Sequence, residues 1–197
     1  MKSHSAQALS PPPRNPFLAV HQPFVNSNKA HAIAVEGEPV QQAVEALLYA
    51  ARVDVVISGH VHAYERSCKV FNFSCVADGP LYLTVGDGGT PEGLATTWVE
   101  PCPAWSAYRQ GSWGHGELEA LNATHLSWRW RQNDDLTPAL VDELVLVKGQ
   151  QVRDAGNCAT VAPALSTSGR RRLAGRRRRD EAGEAGEAGT RPAQTHS

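Results

Sequence analysis

The stretch Gly59-His60-Val61-His62-Ala63-Tyr64-Glu65-Arg66 decides the fold that the sequence predicts. It follows directly on Val53–Ser58, which is almost entirely apolar and β-branched and is typical of a strand covered on both faces. His60 and His62 are therefore predicted to lie at the carboxyl end of a buried strand, next to a glycine that lets the backbone turn. Neutral imidazole is the commonest nitrogen ligand for zinc and iron, so this pair predicts a metal site.

On the amino-terminal side, a strand and a helix precede this stretch. Phe17–Val20 is a short apolar run that ends at His21, before Gln22-Pro23. Strand, helix and strand in this order favour a right-handed βαβ unit, which places His21 and His60 at the same rim of a sheet. The helix is predicted to begin near Pro39, to end near Arg52 and to bury one apolar face, made of Val40, Ala43, Val44, Leu47, Leu48 and Ala51.

Short strands follow on the carboxyl-terminal side. Val70–Val76 and Leu81–Val85 are strand-like, and Trp98–Gly114 is predicted to be a loop. The turn Gly86-Asp87-Gly88-Gly89 does not open a helix, so we interpret it as backbone that passes close beneath the site rather than as a nucleotide-binding loop.

The last strands alternate in polarity. Glu117–Leu121 and His125–Arg131 are predicted to form a hairpin around the turn Asn122–Thr124, with Leu126, Trp128 and Trp130 on its apolar face. Val141–Val147 adds a further strand. Parallel strands first and antiparallel strands later predict a two-sheet sandwich with outer helices.

Composition limits the classes of function. The chain has 197 residues and a net charge of −1, which offers no electrostatic attraction to nucleic acid or to acidic membranes. No stretch of 18 apolar residues occurs, so no transmembrane helix is predicted. We expect a flexible leader at residues 1–15 and a disordered tail at residues 150–197, where arginine clusters precede Glu-Ala-Gly repeats. A solvated tail is favoured over a nuclear signal or a nucleic-acid patch.

Cysteines and sequons bear on the cellular compartment. The sequons at Asn72 and Asn122 predict glycosylation and a secretory lineage, although Met1–Pro13 lacks the apolar segment of a signal peptide. The four cysteines allow three disulfide pairings, and without a C-x-x-C pair they disfavour a zinc ribbon; they are Cys68, Cys75, Cys102 and Cys158.

A two-metal phosphoesterase site also needs carboxylates, at least one of which bridges the two ions. The sequence offers no acidic residue at a third strand end that could act as such a carboxylate ligand. Asp54 begins a strand, at the opposite end, and Asp87 lies in the glycine-rich turn, where we assign it a supporting role.

The block Gly59–Arg66 resembles the last metal-binding block of the purple acid phosphatases, within the metallophosphoesterases. Ala19–Asn28 resembles the preceding block of that family, and Pro80–Glu92 and Tyr108–Glu119 resemble the region after it. The resemblance runs from about Asn15 to Lys148. The family's upstream blocks, an aspartate followed by G-D-x-x-Y and G-N-H-E segments, are not found here.

The resemblance implies roles for four histidines. His21 and His60 would bind a divalent ion, which is zinc, manganese or iron, and His62 would bind a ferric ion. His31 would contact the substrate and protonate the leaving alkoxide. Tyr64, Glu65 and Arg66 are expected to anchor the structure behind the metal ligands rather than to act in the site.

The predicted fold class is α/β, the C-terminal half of a four-layer α/β/β/α sandwich with mixed sheets. The resemblance implies an acid phosphatase, secreted or vacuolar or lysosomal, with a phosphate monoester as substrate and with a homo-oligomer left open. We expect this chain alone to be a fragment of little or no activity. The alternative is a non-catalytic metal-binding or interaction module.

Overall fold

A strand–helix–strand unit opens the fold, as the sequence predicts. The computed structural model describes residues 15–31, 38–133, 139–152 and 159–160. Strand β1 (Phe17–Val20) pairs in parallel with β2 (Val55–Ser58), and helix α1 (Glu38–Ala50) lies between them in the chain. The predicted leader lies outside the described residues except for Asn15. Most of the predicted tail lies outside them as well.

The first sheet is mixed. Its strand order is β1-β2-β5-β3-β6-β10, in which β3 is Tyr64–Phe71, β5 is Leu81–Val85, β6 is Ser106–Gln110 and β10 is Ala159–Thr160. Strands β1, β2 and β5 run parallel, whereas β3 is antiparallel to both β5 and β6. The carboxyl ends of three parallel strands therefore lie side by side at one edge.

The second sheet contains β7 (Gly114–Ala120), β8 (His125–Gln132) and β9 (Ala139–Val147), all antiparallel. The predicted hairpin and its apolar face are confirmed, since Leu126, Trp128 and Trp130 are buried. They pack on residues of the first sheet, which include Val55, Leu81 and Leu83. With α1 on the other face, the described residues form three of the four predicted layers, and the mixed α/β class is confirmed.

Helix α1 buries less of its apolar face than the spacing predicts. Val44 and Leu48 pack on apolar side chains of β1, β2 and β5, but Leu47 is 68% exposed and Val40 is 37% exposed. The helix covers the first sheet near its outer strand, so only a narrow strip of its surface meets the sheet. No helix among the described residues is long and apolar enough to cross a membrane.

The prediction that Trp98–Gly114 is a loop was wrong, because it contains the central strand β6. All five residues of β6 are buried, although three of them are polar. Ser106 donates to the Glu65 carboxylate, and the Arg109 guanidinium donates to Glu100 and to the Val99 carbonyl. Partners outside the strand satisfy the Ser106 hydroxyl and the two terminal nitrogens of Arg109, and periodicity cannot reveal such partners.

Val70–Val76 was also predicted as one strand, but it contains a tight hairpin. Strand β3 ends at Phe71, Asn72 and Phe73 both have positive φ, and β4 (Ser74–Cys75) returns along β3. A disulfide between Cys68 and Cys75 joins the two strands, which fixes one of the pairings that the sequence left open. Beyond Lys148, Val152 is buried in the core, and the boundary predicted at residue 149 stays a prediction.

Strand β3 connects the two sheets through a buried salt bridge. The Arg66 guanidinium donates two hydrogen bonds to the Asp142 carboxylate, with N–O distances of 2.7 and 2.8 Å. The Tyr64 hydroxyl donates to the same carboxylate and accepts a hydrogen bond from the Trp128 indole. The Tyr64 ring stacks on Trp130 with ring centroids 4.5 Å apart. Asp142 on β9 therefore fixes the second sheet on the first.

We expect Asp142→Ala to destabilise the protein by about 3–5 kcal/mol, because it leaves the buried Arg66 cation without its carboxylate. Glu143→Ala is the matched control. Glu143 is the adjacent residue of the same strand and is exposed, so its removal should change stability by less than about 0.5 kcal/mol. Urea unfolding of both variants measures the difference. Equal stability of the two variants would contradict this account.

Candidate metal centre

The four histidines predicted to form the site line one cleft of about 470 Å³. His21 follows β1, and His60 and His62 follow β2, so two parallel strands present them at the same edge. Residues after the third parallel strand, β5, complete the lining. They are Gly86, Gly89, Thr90 and Glu92, and His31 closes the cleft from the loop after β1.

The backbone between Gly59 and Ala63 explains how two neighbouring histidines reach the cleft. The amide of Val61 donates to the Gly59 carbonyl at 2.7 Å, and the amide of Ala63 donates to the Val61 carbonyl at 2.8 Å. These tight turns bury Val61 and Ala63 completely and direct the intervening His60 and His62 outward. The residue with a left-handed backbone is His60, whose φ is 64°, and not the glycine that the sequence suggested.

Two imidazole nitrogens lie within hydrogen-bonding distance of each other, a separation that would also allow them to share one metal ion. His21 Nε2 and His60 Nδ1 are 3.1 Å apart. Zinc–imidazole bonds are about 2.0–2.1 Å long, so two such bonds to one ion at this separation would enclose an angle of about 95–102°. That angle is within the range of protein metal sites, so the two nitrogens fit a single divalent cation. The His31 ring lies against the His60 ring, with centroids 4.0 Å apart.

His62 is held separately from that pair. Its Nδ1 lies 3.1 Å from the carbonyl oxygen of Gly93, which can only accept, so Nδ1 carries the hydrogen. The lone pair of Nε2 is then available to a ligand. The Glu92 carboxylate lies 3.6 Å from Nε2 and is 78% exposed. Among the described residues, no three His, Cys, Asp or Glu side chains are arranged to hold one metal ion.

Glu92 brings to the cleft a carboxylate that the sequence did not single out, although it lies in a loop and not at a strand end. It comes after β5, whose carboxyl end adjoins that of β2, and it lines the cleft. Sequence analysis missed it because seven residues separate it from the end of the strand. The position of β5 beside β2 could have pointed to it, since loops that follow adjacent parallel strands meet at one edge.

The glycine-rich turn passes directly beneath the site, as the sequence predicts. A Cβ atom on Gly86 would lie 2.1 Å from the carbonyl oxygen of Val61, between the two histidines. Asp87 is fully buried and accepts a hydrogen bond from the Trp130 indole at 3.0 Å, so its carboxylate faces the second sheet and not the cleft. Burial raises the pKa of Asp87 to about 6, although the Trp130 hydrogen bond and the nearby His115 oppose the shift.

The side chains of Tyr64, Glu65 and Arg66 lie behind the histidines, where their hydrogen bonds join elements of the fold. Tyr64 and Arg66 bond to Asp142, a residue that sequence analysis did not single out. The Glu65 carboxylate accepts from the amide and the hydroxyl of Ser27 and from the Ser106 hydroxyl at 2.6 Å. It thereby fixes the loop that leads to His31. Burial raises the pKa of Glu65 above its usual range, and these hydrogen bonds oppose the rise.

Comparison with known proteins bears on the identity of this arrangement. Residues 79–143 match the family model described as iron/zinc purple acid phosphatase-like protein C. Purple acid phosphatase 18 of Arabidopsis thaliana is 48% identical over 135 residues, which are 68% of this chain and 30% of that protein. A phosphoenolpyruvate phosphatase of Allium cepa is 41% identical over 145 residues, which are 67% of this chain and 30% of that protein.

A solved structure has the same fold. A purple acid phosphatase isolated from yellow lupin (Lupinus luteus) seeds matches with a TM-score of 0.53 at 19% identity, over 74% of this chain and 28% of that chain. The resemblance stated from the sequence is thus confirmed. The chain spans about 30% of the length of these curated relatives.

Gly86→Ala should destabilise the protein by about 3 kcal/mol or more, because the added methyl group meets backbone that cannot move without displacing His60 and His62. Gly88→Ala is the matched control, since a Cβ at Gly88 would meet nothing within 4 Å. Chemical denaturation measures both variants. A loss of stability as large in Gly88→Ala as in Gly86→Ala would refute the close approach as the cause.

Asp87→Asn tests the raised pKa. The folded state binds the Asp87 proton more tightly than the unfolded state, so this residue lowers stability as the pH rises from about 4 to about 6. The asparagine variant lacks that decline. Its stability relative to the unmodified protein should therefore improve from pH 4 to pH 7 by up to about 3 kcal/mol. Urea unfolding at several pH values measures the change, and a pH-independent difference would contradict it.

Proposed function

Because this chain is related to the purple acid phosphatases over about 68% of its length, we propose that it carries the histidine half of a dinuclear phosphoesterase site. The full reaction is the hydrolysis of phosphate monoesters at acidic pH. The observation that carries the proposal is the 3.1 Å separation of His21 Nε2 and His60 Nδ1 at the ends of adjacent parallel strands. That separation suits one shared divalent ion.

Each histidine has a proposed task. His21 and His60 hold the divalent ion, which is zinc, manganese or iron, and His62 holds a ferric ion through Nε2. Bound there, two such ions would supply an activated water molecule and charge stabilisation for the attacking and leaving oxygens of a phosphate ester. His31 contacts the substrate and donates a proton to the leaving alkoxide, a contribution of about 10²–10⁴-fold for a well-placed general acid. Its position against the His60 ring supports this assignment.

The carboxylate ligands of the centre are proposed to come from outside the matched segment. Glu92 lines the cleft but is largely exposed, and Asp87 faces the second sheet. The curated relatives are about three times as long as the part that this chain matches. We therefore propose that this chain by itself has no measurable phosphatase turnover.

The setting proposed for the protein is the secretory route. The disulfide between Cys68 and Cys75 suits an oxidising compartment. The sequon residues Asn72 and Asn122 both lie exposed at hairpin turns, where a glycosyltransferase has access. Together these features support glycosylation at both residues and a secreted, vacuolar or lysosomal location.

A zinc titration tests the proposed ligand pair. The protein should bind Zn²⁺, and His21→Ala or His60→Ala should weaken binding by about 10–100-fold, because each variant removes one of two nitrogen donors to the same ion. His125→Ala is the control, since His125 is the first residue of β8 and bonds to Thr124 and Asn122 of the preceding turn. Isothermal titration calorimetry gives the affinities.

Equal affinities in all three variants would refute the ligand pair. A separate assay with para-nitrophenyl phosphate tests the proposed lack of turnover. Hydrolysis by the purified chain with two metal ions bound per molecule would overturn that part of the proposal.

A further inference from the structure

The side chain of Asn28 connects the loop that carries His31 to the loop that contacts His62. It is 1% exposed, and both ends of its carboxamide are used. Its Oδ1 accepts a hydrogen bond from the Ala30 amide at 2.9 Å, and its Nδ2 donates one to the Ala95 carbonyl at 2.7 Å. One side chain thus joins the loop after β1 to the loop after β5.

On one side the connection leads to His31. The Asn28 amide donates to Asn26 Oδ1 at 2.9 Å, and Asn26 Nδ2 donates to the His31 carbonyl at 2.9 Å. The segment from Asn26 to His31 is therefore closed on itself, with Asn28 in its middle. The Glu65 carboxylate fixes the same segment from below through Ser27.

On the other side the connection leads to His62. The Ala95 amide donates to the His62 carbonyl at 2.9 Å, and the Gly93 carbonyl accepts from His62 Nδ1. The Gly93 carbonyl therefore favours a hydrogen on His62 Nδ1, and the Ala95 amide fixes the backbone beside that carbonyl. The Lys29 amide also donates to the Thr97 carbonyl at 2.8 Å, so the two loops run together beyond this point.

We propose that Asn28 is a positioning residue that holds His31 and the His62 ring in a fixed relation across the cleft. It must offer an acceptor to Ala30 and a donor to Ala95 at the same time, which a carboxamide of this length does. The roles of the two histidines rest on the proposed function. The bridge itself does not, because every contact in it joins one group of the protein to another.

Asn28→Asp separates the two contacts, because it keeps the shape and the acceptor for Ala30 but places an oxygen against the Ala95 carbonyl. Long-range proton–nitrogen NMR of the metal-free protein at neutral pH reports the imidazole tautomers. In the unmodified protein His62 should show the Nδ1–H tautomer alone. In Asn28→Asp it should show a mixture of both tautomers, and the affinity for Zn²⁺ should fall by about tenfold.

Asn122→Asp is the matched control. Asn122 also accepts backbone hydrogen bonds through its side-chain oxygen, from the amides of Thr124 and His125, but it lies in the β7–β8 turn. Its variant should leave the His62 spectrum unchanged. A folded Asn28→Asp protein with the unmodified His62 spectrum would overturn the proposal.

The unmodified protein supplies a second measurement if Asn28→Asp does not fold. The carboxamide protons of Asn28 should exchange with solvent at least about tenfold more slowly than those of the exposed Asn122, since the former are buried and bonded. Equal exchange rates would overturn the bridge. Loss of zinc binding in the unmodified protein would refute the proposed function alone, because the tautomer and exchange measurements need no metal.

Discussion

The buried charged side chains of strand β3 hold the two sheets and the site loops together. Arg66 faces the second sheet and is neutralised by Asp142, whereas Glu65 faces the opposite side and is satisfied by Ser27 and Ser106. Moving a charge from water into a protein interior costs several kcal/mol unless its partners are well placed. The bidentate geometry and the added Tyr64 hydroxyl meet that condition. A shift of one sheet over the other would break these bonds together, so they fix the relative position of the sheets.

The histidine cleft depends on this arrangement, although neither charged side chain of β3, Glu65 or Arg66, lies within the cleft. His21, His60 and His62 follow strand ends and are correctly placed only if the strands stay in register. The loop that carries His31 buries Phe24 and Val25 in the core, and its part nearer His31 is held by Glu65 and by Asn28. Side chains on loops keep a precise geometry when a second set of hydrogen bonds supports them.

Periodicity predicted the parts of the fold that local sequence determines. The apolar run before Gly59 and the alternation around Trp128 gave a buried strand and a hairpin, because a strand with a covered face must repeat at period two or be apolar throughout. Periodicity failed at β6, where Ser106 and Arg109 are buried only because Glu65 and Glu100 lie opposite them. Such partners are far apart in sequence, and one sequence does not reveal which residues meet.

In the candidate site too, some residues could be predicted from the sequence and others could not. Its histidines could be predicted because they follow strand signals, and the family resemblance supplied their roles. The contribution of β5 could not be predicted, since Glu92 enters the cleft only through the strand order that places β5 beside β2. The left-handed backbone at His60 was also missed, because a histidine carries no local signal for it.

Strand β1 has a consequence for handling the protein. It is the outermost strand on its side of the described sheet, and Phe17 on it is 62% exposed. An outer strand with apolar side chains is a template for pairing with another chain, which natural proteins usually cover or protect with charge. Self-association should therefore rise with protein concentration and begin at β1, on the same side of the molecule as His21. Aggregation of the chain and obstruction of its cleft would then occur together.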